Sequence, residues 1–145
     1  MKSFRYIRIV MLKTRMRTYL ETEKKVLASG IELKYLPDEY LFRKGQKAEF
    51  VFFVQSGALL FEWPNEKKII NLGQAPFFIG IDEVLSGSKY SCHAQTTEFS
   101  DFLVFERAYF LMLLNEFEDA LPYFLQKEAE FVQLKKENKP EFYSV

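Results

Sequence analysis

Phe50-Val51-Phe52-Phe53-Val54-Gln55-Ser56-Gly57-Ala58-Leu59-Leu60-Phe61-Glu62-Trp63 joins two apolar, aromatic runs through a Ser-Gly step. The first run, Phe50 to Gln55, is almost continuously apolar, as expected of a strand buried on both faces. Ser56-Gly57 reads as a turn into a second strand, Ala58 to Trp63, and the pair is predicted to be the strongest hairpin in the chain. Working outward, Ile31, Leu33 and Tyr35 alternate with Glu32 and Lys34, the period of a strand. Pro37-Asp38 supplies a turn before Tyr40-Leu41-Phe42, and Arg43-Lys44-Gly45-Gln46 reads as the next turn. Downstream, Trp63-Pro64-Asn65-Glu66 turns the chain into a strand from Lys67 to Leu72, and Tyr90 to Gln95 and Phe102 to Phe105 are the last strands. Many short strands with no helices alternating between them predict a mainly β fold, an antiparallel β-roll or jelly roll with flanking N- and C-terminal helices.

The regular pattern is interrupted from Phe77 to Ala94. Gly80 and Gly87 allow backbone angles closed to other residues and let a ligand approach exposed N–H groups. Between them Asp82-Glu83-Val84-Leu85 make about one helical turn whose amides could face an anion, which makes this segment the candidate site. An ordinary surface loop carrying two turn glycines has the same composition.

Helical periods mark both ends. Ile9, Leu12, Met16, Tyr19 and Leu20 recur at three- and four-residue steps, predicting a helix from about Arg8 to Ala28 that Ser29-Gly30 stops. Phe110, Leu111 and Leu114 place a short helix at Arg107 to Asn115. A second begins near Glu118-Asp119, acidic residues suited to a helix start, and ends at Asn138-Lys139-Pro140. Its stripe of Leu121, Phe124, Leu125, Phe131 and Val132, broken by Glu128, is the candidate dimerisation face, and docking on its own domain is the alternative. The organisation expected is a basic helical segment over residues 1–29, a β-roll over 30–106 and C-terminal helices over 107–145.

At 145 residues the chain fits one domain and hides about 68–70% of its unfolded surface, enough for its own core. With Phe 16 and Tyr 8 that core is built on rings, which favours strands. The only cysteine, Cys92, rules out an internal disulfide and points to a reducing, cytoplasmic setting. A zero net charge conceals segregation: eight cations against Glu21 and Glu23 give residues 1–25 a surplus of six positive charges, and twelve cations against eighteen carboxylates leave the remainder at minus six. A basic arm of this kind can touch nucleic acid or an anionic membrane surface, or be a solvated helix face. The apolar run Ile7 to Leu12 is broken by Arg8 and is too short for a membrane span. With His93 the only histidine, a jelly-roll metal site lacks ligands, and no Ser or Cys stands in a nucleophile elbow, so no enzyme is expected and no cofactor or metal.

Taken in order, Tyr40 to Gln46, Phe50 to Gly57, Ile69-Ile70-Asn71-Leu72-Gly73, Phe77-Phe78-Ile79-Gly80, and Phe102 to Arg107 followed by Phe110 resemble the cyclic nucleotide-binding domain of the Crp/Fnr regulators, protein kinase A regulatory subunits and gated channels. The resemblance covers roughly Leu27 to Val132. It implies an eight-stranded β-roll, a double-stranded β-helix, with a phosphate-binding cassette at the interrupting segment. Its ligand would be cAMP, a similar cyclic nucleotide or a small anion, and its contacts would be Gly80, Ile81, Asp82, Glu83, Ser88, Lys89, Tyr90 and Ser91. It also implies a homodimer through the C-terminal helix. The cassette departs from the family pattern. Ile81 stands where the family has a glutamate for the ribose 2′-hydroxyl, and Ser88, Lys89 and Tyr90 stand where it has arginine, Ser or Thr, and Ala. No arginine occurs from Trp63 to Phe105. A charged hydrogen bond is worth about 1.5–3 kcal/mol, so losing both anchors removes roughly two to four decades of affinity. Only Glu137 to Val145 follows the last helix, whereas an independent domain needs on the order of 50 residues, so no helix-turn-helix is expected here. The two functions implied are a sensor binding cyclic nucleotide weakly and signalling through the C-terminal helix, and a degenerate domain that serves as an interaction module.

Overall fold

The computed structural model describes Arg17 and residues 19–71 and 76–137. A helix α1 (residues 19–28) leads into β1 (Ile31–Tyr35), β2 (Tyr40–Phe42), β3 (Phe50–Ser56), β4 (Ala58–Trp63), β5 (Glu66–Asn71) and β6 (Phe77–Ile79). Then follow α2 (Ile81–Ser86), β7 (His93–Thr96), β8 (Ser100–Glu106), α3 (Arg107–Glu116) and α4 (Ala120–Glu137). The strands form two antiparallel four-stranded sheets, ordered β1-β8-β3-β6 and β2-β7-β4-β5. This is the expected β-roll with flanking helices. The predicted helix start at Arg8 lies outside the described residues.

One expectation is corrected. β3 and β4 are not a hairpin: β3 pairs with β6 and β8, whereas β4 pairs with β5 and β7. Gly57, at φ 112°, is the corner where the chain crosses from one sheet to the other. A Cβ there would stand 2.0 Å from Ser100 Oγ, so only glycine fits the crossing. The tight hairpin is β4–β5, closed at Pro64-Asn65 and paired from Trp63–Glu66 back to Ala58–Asn71. A second difference is β6, Phe77–Ile79, which the reading had absorbed into the interruption and which pairs with Phe52 to Val54.

Rings fill both faces of the β1-β8-β3-β6 sheet: between the sheets Phe52 meets Phe42 at 6.1 Å and Phe102 at 6.1 Å, and on the face turned to the C-terminal helices Phe53 meets Phe78 at 4.7 Å. Phe61, Phe78, Phe102, Phe105, Phe110 and Phe124 are fully buried. Such pairs add about 0.5–1.5 kcal/mol each beyond their buried area. β1 is a sheet edge, and its Ile31 and Leu33 stay 65% and 40% exposed. The C-terminal helices close the other side. Phe124 of α4 packs on Phe78 of β6 at 5.5 Å and on Phe110 of α3 at 4.6 Å.

Candidate functional site

β6 delivers the chain directly to Gly80, whose φ of 91° turns it into α2. A Cβ on Gly80 would lie 3.1 Å from the Phe50 carbonyl oxygen and 3.4 Å from the Tyr90 ring, so glycine is required by both angle and space. α2 rests on the core through Ile81 and Val84, both fully buried, while Asp82 is exposed and Glu83 half-buried. Gly87, at φ 67°, ends the helix in the left-handed conformation. The predicted single turn is therefore present, but Ile81 points inward.

The returning limb, Ser88 to Ser91, folds back on that helix and on the β2–β3 connection. Ser88 N–H donates to the Glu83 carbonyl at 3.0 Å, and Ser91 Oγ donates to Glu83 Oε1 at 3.4 Å. Tyr90 N–H donates to the Gln46 carbonyl at 2.9 Å, and Lys89 forms an isolated bridge with Lys47. Ser88, Lys89 and Ser91 are exposed. Tyr90 is not. Its ring stacks on Phe42 at 3.8 Å and 10°, its hydroxyl donates to the Phe50 carbonyl at 2.5 Å, and Phe50 N–H donates back at 3.2 Å. Burial pushes the Tyr90 phenol up to about 12. With Tyr90 and Ser91 engaged this way, β7 begins only at His93, later than the sequence predicts.

Cys92 is buried and His93 half-buried, the division expected of neighbours on opposite faces. Burial, reinforced by Glu83, raises the Cys92 thiol to about 12, which makes it a packing group and not a nucleophile. His93 Nδ1 accepts the Lys44 N–H at 3.1 Å, beside a cavity of about 240 Å³ lined also by Glu62, Trp63 and Pro64. A second cavity, of about 360 Å³, opens on β1 and β8 at Glu32, Leu33, Lys34, Gln55, Asp101 and Phe102. Neither is lined by Gly80 to Ser91. Among the described residues no group of His, Cys, Asp and Glu is placed to hold a metal ion.

Helix α4 covers the segment. Phe131 stacks on Phe77 of β6 at 5.4 Å and 15° and reaches Phe61 at 5.6 Å. Lys127 ties α4 to α1, 3.2 Å from Glu23 and 3.2 Å from Glu130, while the Tyr123 hydroxyl donates to Glu23 Oε2 at 2.9 Å. The stripe read as one dimerisation face is thereby divided. Phe124 and Phe131 are consumed by the chain's own core, and Leu121, Leu125 and Val132 remain 44%, 54% and 37% exposed.

Two participants were not singled out in the sequence. Arg107 Nε reaches back to donate to the Val84 carbonyl at 3.3 Å, holding the C-terminal end of α2. Glu128, read only as a break in a stripe, faces α2: burial, then Glu83, raises its carboxyl to about 7 against the pull of Lys135. Neither carries a local sequence signal, because each meets the segment only through the tertiary packing of α3 and α4.

The family model described as the cyclic nucleotide-binding domain matches residues 32–117. The chain belongs to that family. Solved structures of cyclic nucleotide-binding domains and their regulators agree in fold. The c-di-GMP-responsive global regulator CLP of Xanthomonas campestris is 19% identical at a TM-score of 0.62, covering 81% of this chain and 58% of that one. The catabolite activator protein of Thermus thermophilus is 18% identical at 0.61, covering 81% and 55%. The CBD2 of PKAR, bound to Sp-2Cl-cAMPS, is 18% identical at 0.55, covering 74% and 70%. The chain thus spans between half and three fifths of the two bacterial regulators. No curated protein matches it. Within this fold α2 and its returning limb lie at the segment singled out in the sequence, and α4 packs against β6 and α2. No described helix is long and apolar enough to cross a membrane.

Proposed function

We propose that this chain is a non-enzymatic regulatory sensor of the cyclic nucleotide-binding fold, in which α4 relays the state of the cassette and cAMP, or a similar small anion, is held weakly. The observation that supports the relay is the Phe131–Phe77 stack. It connects α4 to β6, the strand that runs without interruption into Gly80 and α2. The groups that meet the ligand in this reading are the exposed Ser88, Lys89 and Ser91, with Asp82 and Glu83 at the rim. Gly80 sets the backbone, and Ile81 and Tyr90 support it from the core.

Weak binding follows from charge. Lys89 is a point charge without the fixed fork of a guanidinium, and the carboxylates of Asp82 and Glu83 at the rim oppose an anion. Thermal unfolding with cAMP, cGMP and a panel of small anions tests the reading. A ligand near its dissociation constant adds about 0.4 kcal/mol, a rise of roughly 1–2 °C. A melting curve unmoved by all of them at millimolar concentration removes the ligand from the reading.

A second reading has its own support. Leu121, Leu125 and Val132 follow at four- and seven-residue steps, one exposed apolar line along α4. That line suits pairing of two copies of α4, making the domain an interaction module. Sedimentation separates the two: Leu125→Glu converts a dimer to a monomer if the module reading holds, and a monomeric wild type at tens of micromolar contradicts it.

A further inference from the structure

Where α4 closes on the cassette, a carboxyl group is set against carboxyl groups. Glu128 Oε2 is sealed from water and has no hydrogen-bond partner. The charged groups facing it from α2 are Glu83 and Asp82, both acidic. Its own helix supplies one cation on that side, Lys135, which lies over the rings of Phe131 at 4.8 Å and Trp63 at 5.8 Å. Lys127 faces the other way, engaged by Glu23 and Glu130. The Arg107 Nε is directed to the Val84 carbonyl, β6 offers only Phe77, Phe78 and Ile79, and Cys92 beside Glu83 stays a neutral thiol.

A neutral carboxyl fits such a place far better than an ionised one, because an unpaired buried charge loses its hydration without compensation. We propose that Glu128 is a proton-operated latch: protonated, it lets α4 close over α2, and ionised opposite Glu83 and Asp82 it loosens that closure. The latch deepens the reading of α4 as the relaying element and rests on it, but it needs no ligand. It gives a domain with weakened phosphate anchors a second input, the proton, acting on the same helix. Its working range is near neutrality, since burial and Glu83 raise the Glu128 carboxyl to about 7.

Amide hydrogen exchange of the α4 segment, on the full chain and corrected for intrinsic rates, tests the latch. Between about pH 5.5 and about pH 8 the opening equilibrium of α4 rises about tenfold in the wild type, less than full linkage because Glu128 keeps part of its surface in water. Glu128→Gln keeps α4 closed at both values, and Glu83→Gln shrinks the rise. A wild-type α4 with the same protection at both values overturns the latch, as does a Glu128→Gln protein with the wild-type response. If Glu128→Gln does not fold, an undiminished response in Glu83→Gln overturns it. Phe131→Ala separates the latch from the relay. Opening of α4 in that variant beside a pH-insensitive wild type leaves the relay standing and removes only the latch. A Phe131→Ala α4 as protected as a pH-insensitive wild type removes both.

Discussion

The Tyr90 hydroxyl is bound to both backbone groups of Phe50, so taking it away leaves a part-buried N–H and a part-buried C=O each short of one partner. Tyr90→Phe keeps the stack on Phe42 and is expected to cost about 1–3 kcal/mol, read from chemical denaturation. Gly80→Ala meets a different obstacle, a positive φ and a carbonyl oxygen 3.1 Å from the new methyl, and is expected to cost about 1–3 kcal/mol. Cys92 is expected to resist alkylation near pH 8 while the protein is folded and to react fully once it is denatured, because its thiol ionises only near 12. At this scale the sequence was half legible. Gly80 and Gly87 were readable because a left-handed backbone leaves a glycine behind, and both have positive φ. The inward turn of Ile81 and Tyr90 was not, since a bulky residue next to a candidate site looks the same whether it faces a ligand or the core.

Among the elements, α4 is the one proposed to relay, and its two faces make opposite predictions. Phe131→Ala removes the stack on Phe77 and the contact with Phe61, and is expected to destabilise by about 3–5 kcal/mol or to release the helix locally. Leu125→Glu, on the exposed line, is expected to leave stability within about 0.5 kcal/mol while abolishing any self-association. The helical period of α4 was plain in the sequence, and its start and end fell close to Ala120–Glu137. What period alone does not say is which apolar residues a chain spends on its own core. The same limit explains the β3–β4 step: Ser56-Gly57 reads as a turn, but the turn's partner is decided by Ser100 pressed against Gly57, a contact 43 residues away in sequence.

Over the whole molecule the charge balance sets the pH response. The Glu128 carboxyl is raised to about 7 from the ordinary glutamate value of 4.5, chiefly by burial, so its ionisation opposes folding. The sign is fixed by that direction. The penalty is absent below about 4.5, grows as the pH rises, and is complete above about 7. The unfolding free energy of the wild type, read from denaturant titrations, is expected to fall across that window by about 1–2 kcal/mol after solvent screening, and that of Glu128→Gln to fall by less. The fold at this scale was the most legible part. Seven strands were recoverable from alternation and turn residues, and the order of their motifs carried the family. The departures from the family's cassette pattern are legible in the sequence too, as Ile81 and Ser88 where that pattern has charged residues; the approach of Glu128 to Glu83 is not, since the two are 45 residues apart and meet only when α4 folds back.

A roll that is kept while its grip on a cyclic phosphate is weakened, as proposed, is tested by calorimetric titration of cAMP into the full chain. The loss of two charged contacts predicts a dissociation constant of about 0.1 mM or weaker. Saturable one-to-one binding at about 1 µM or tighter contradicts the account, because no arrangement of Ser88, Lys89 and the surrounding carboxylates supplies that affinity.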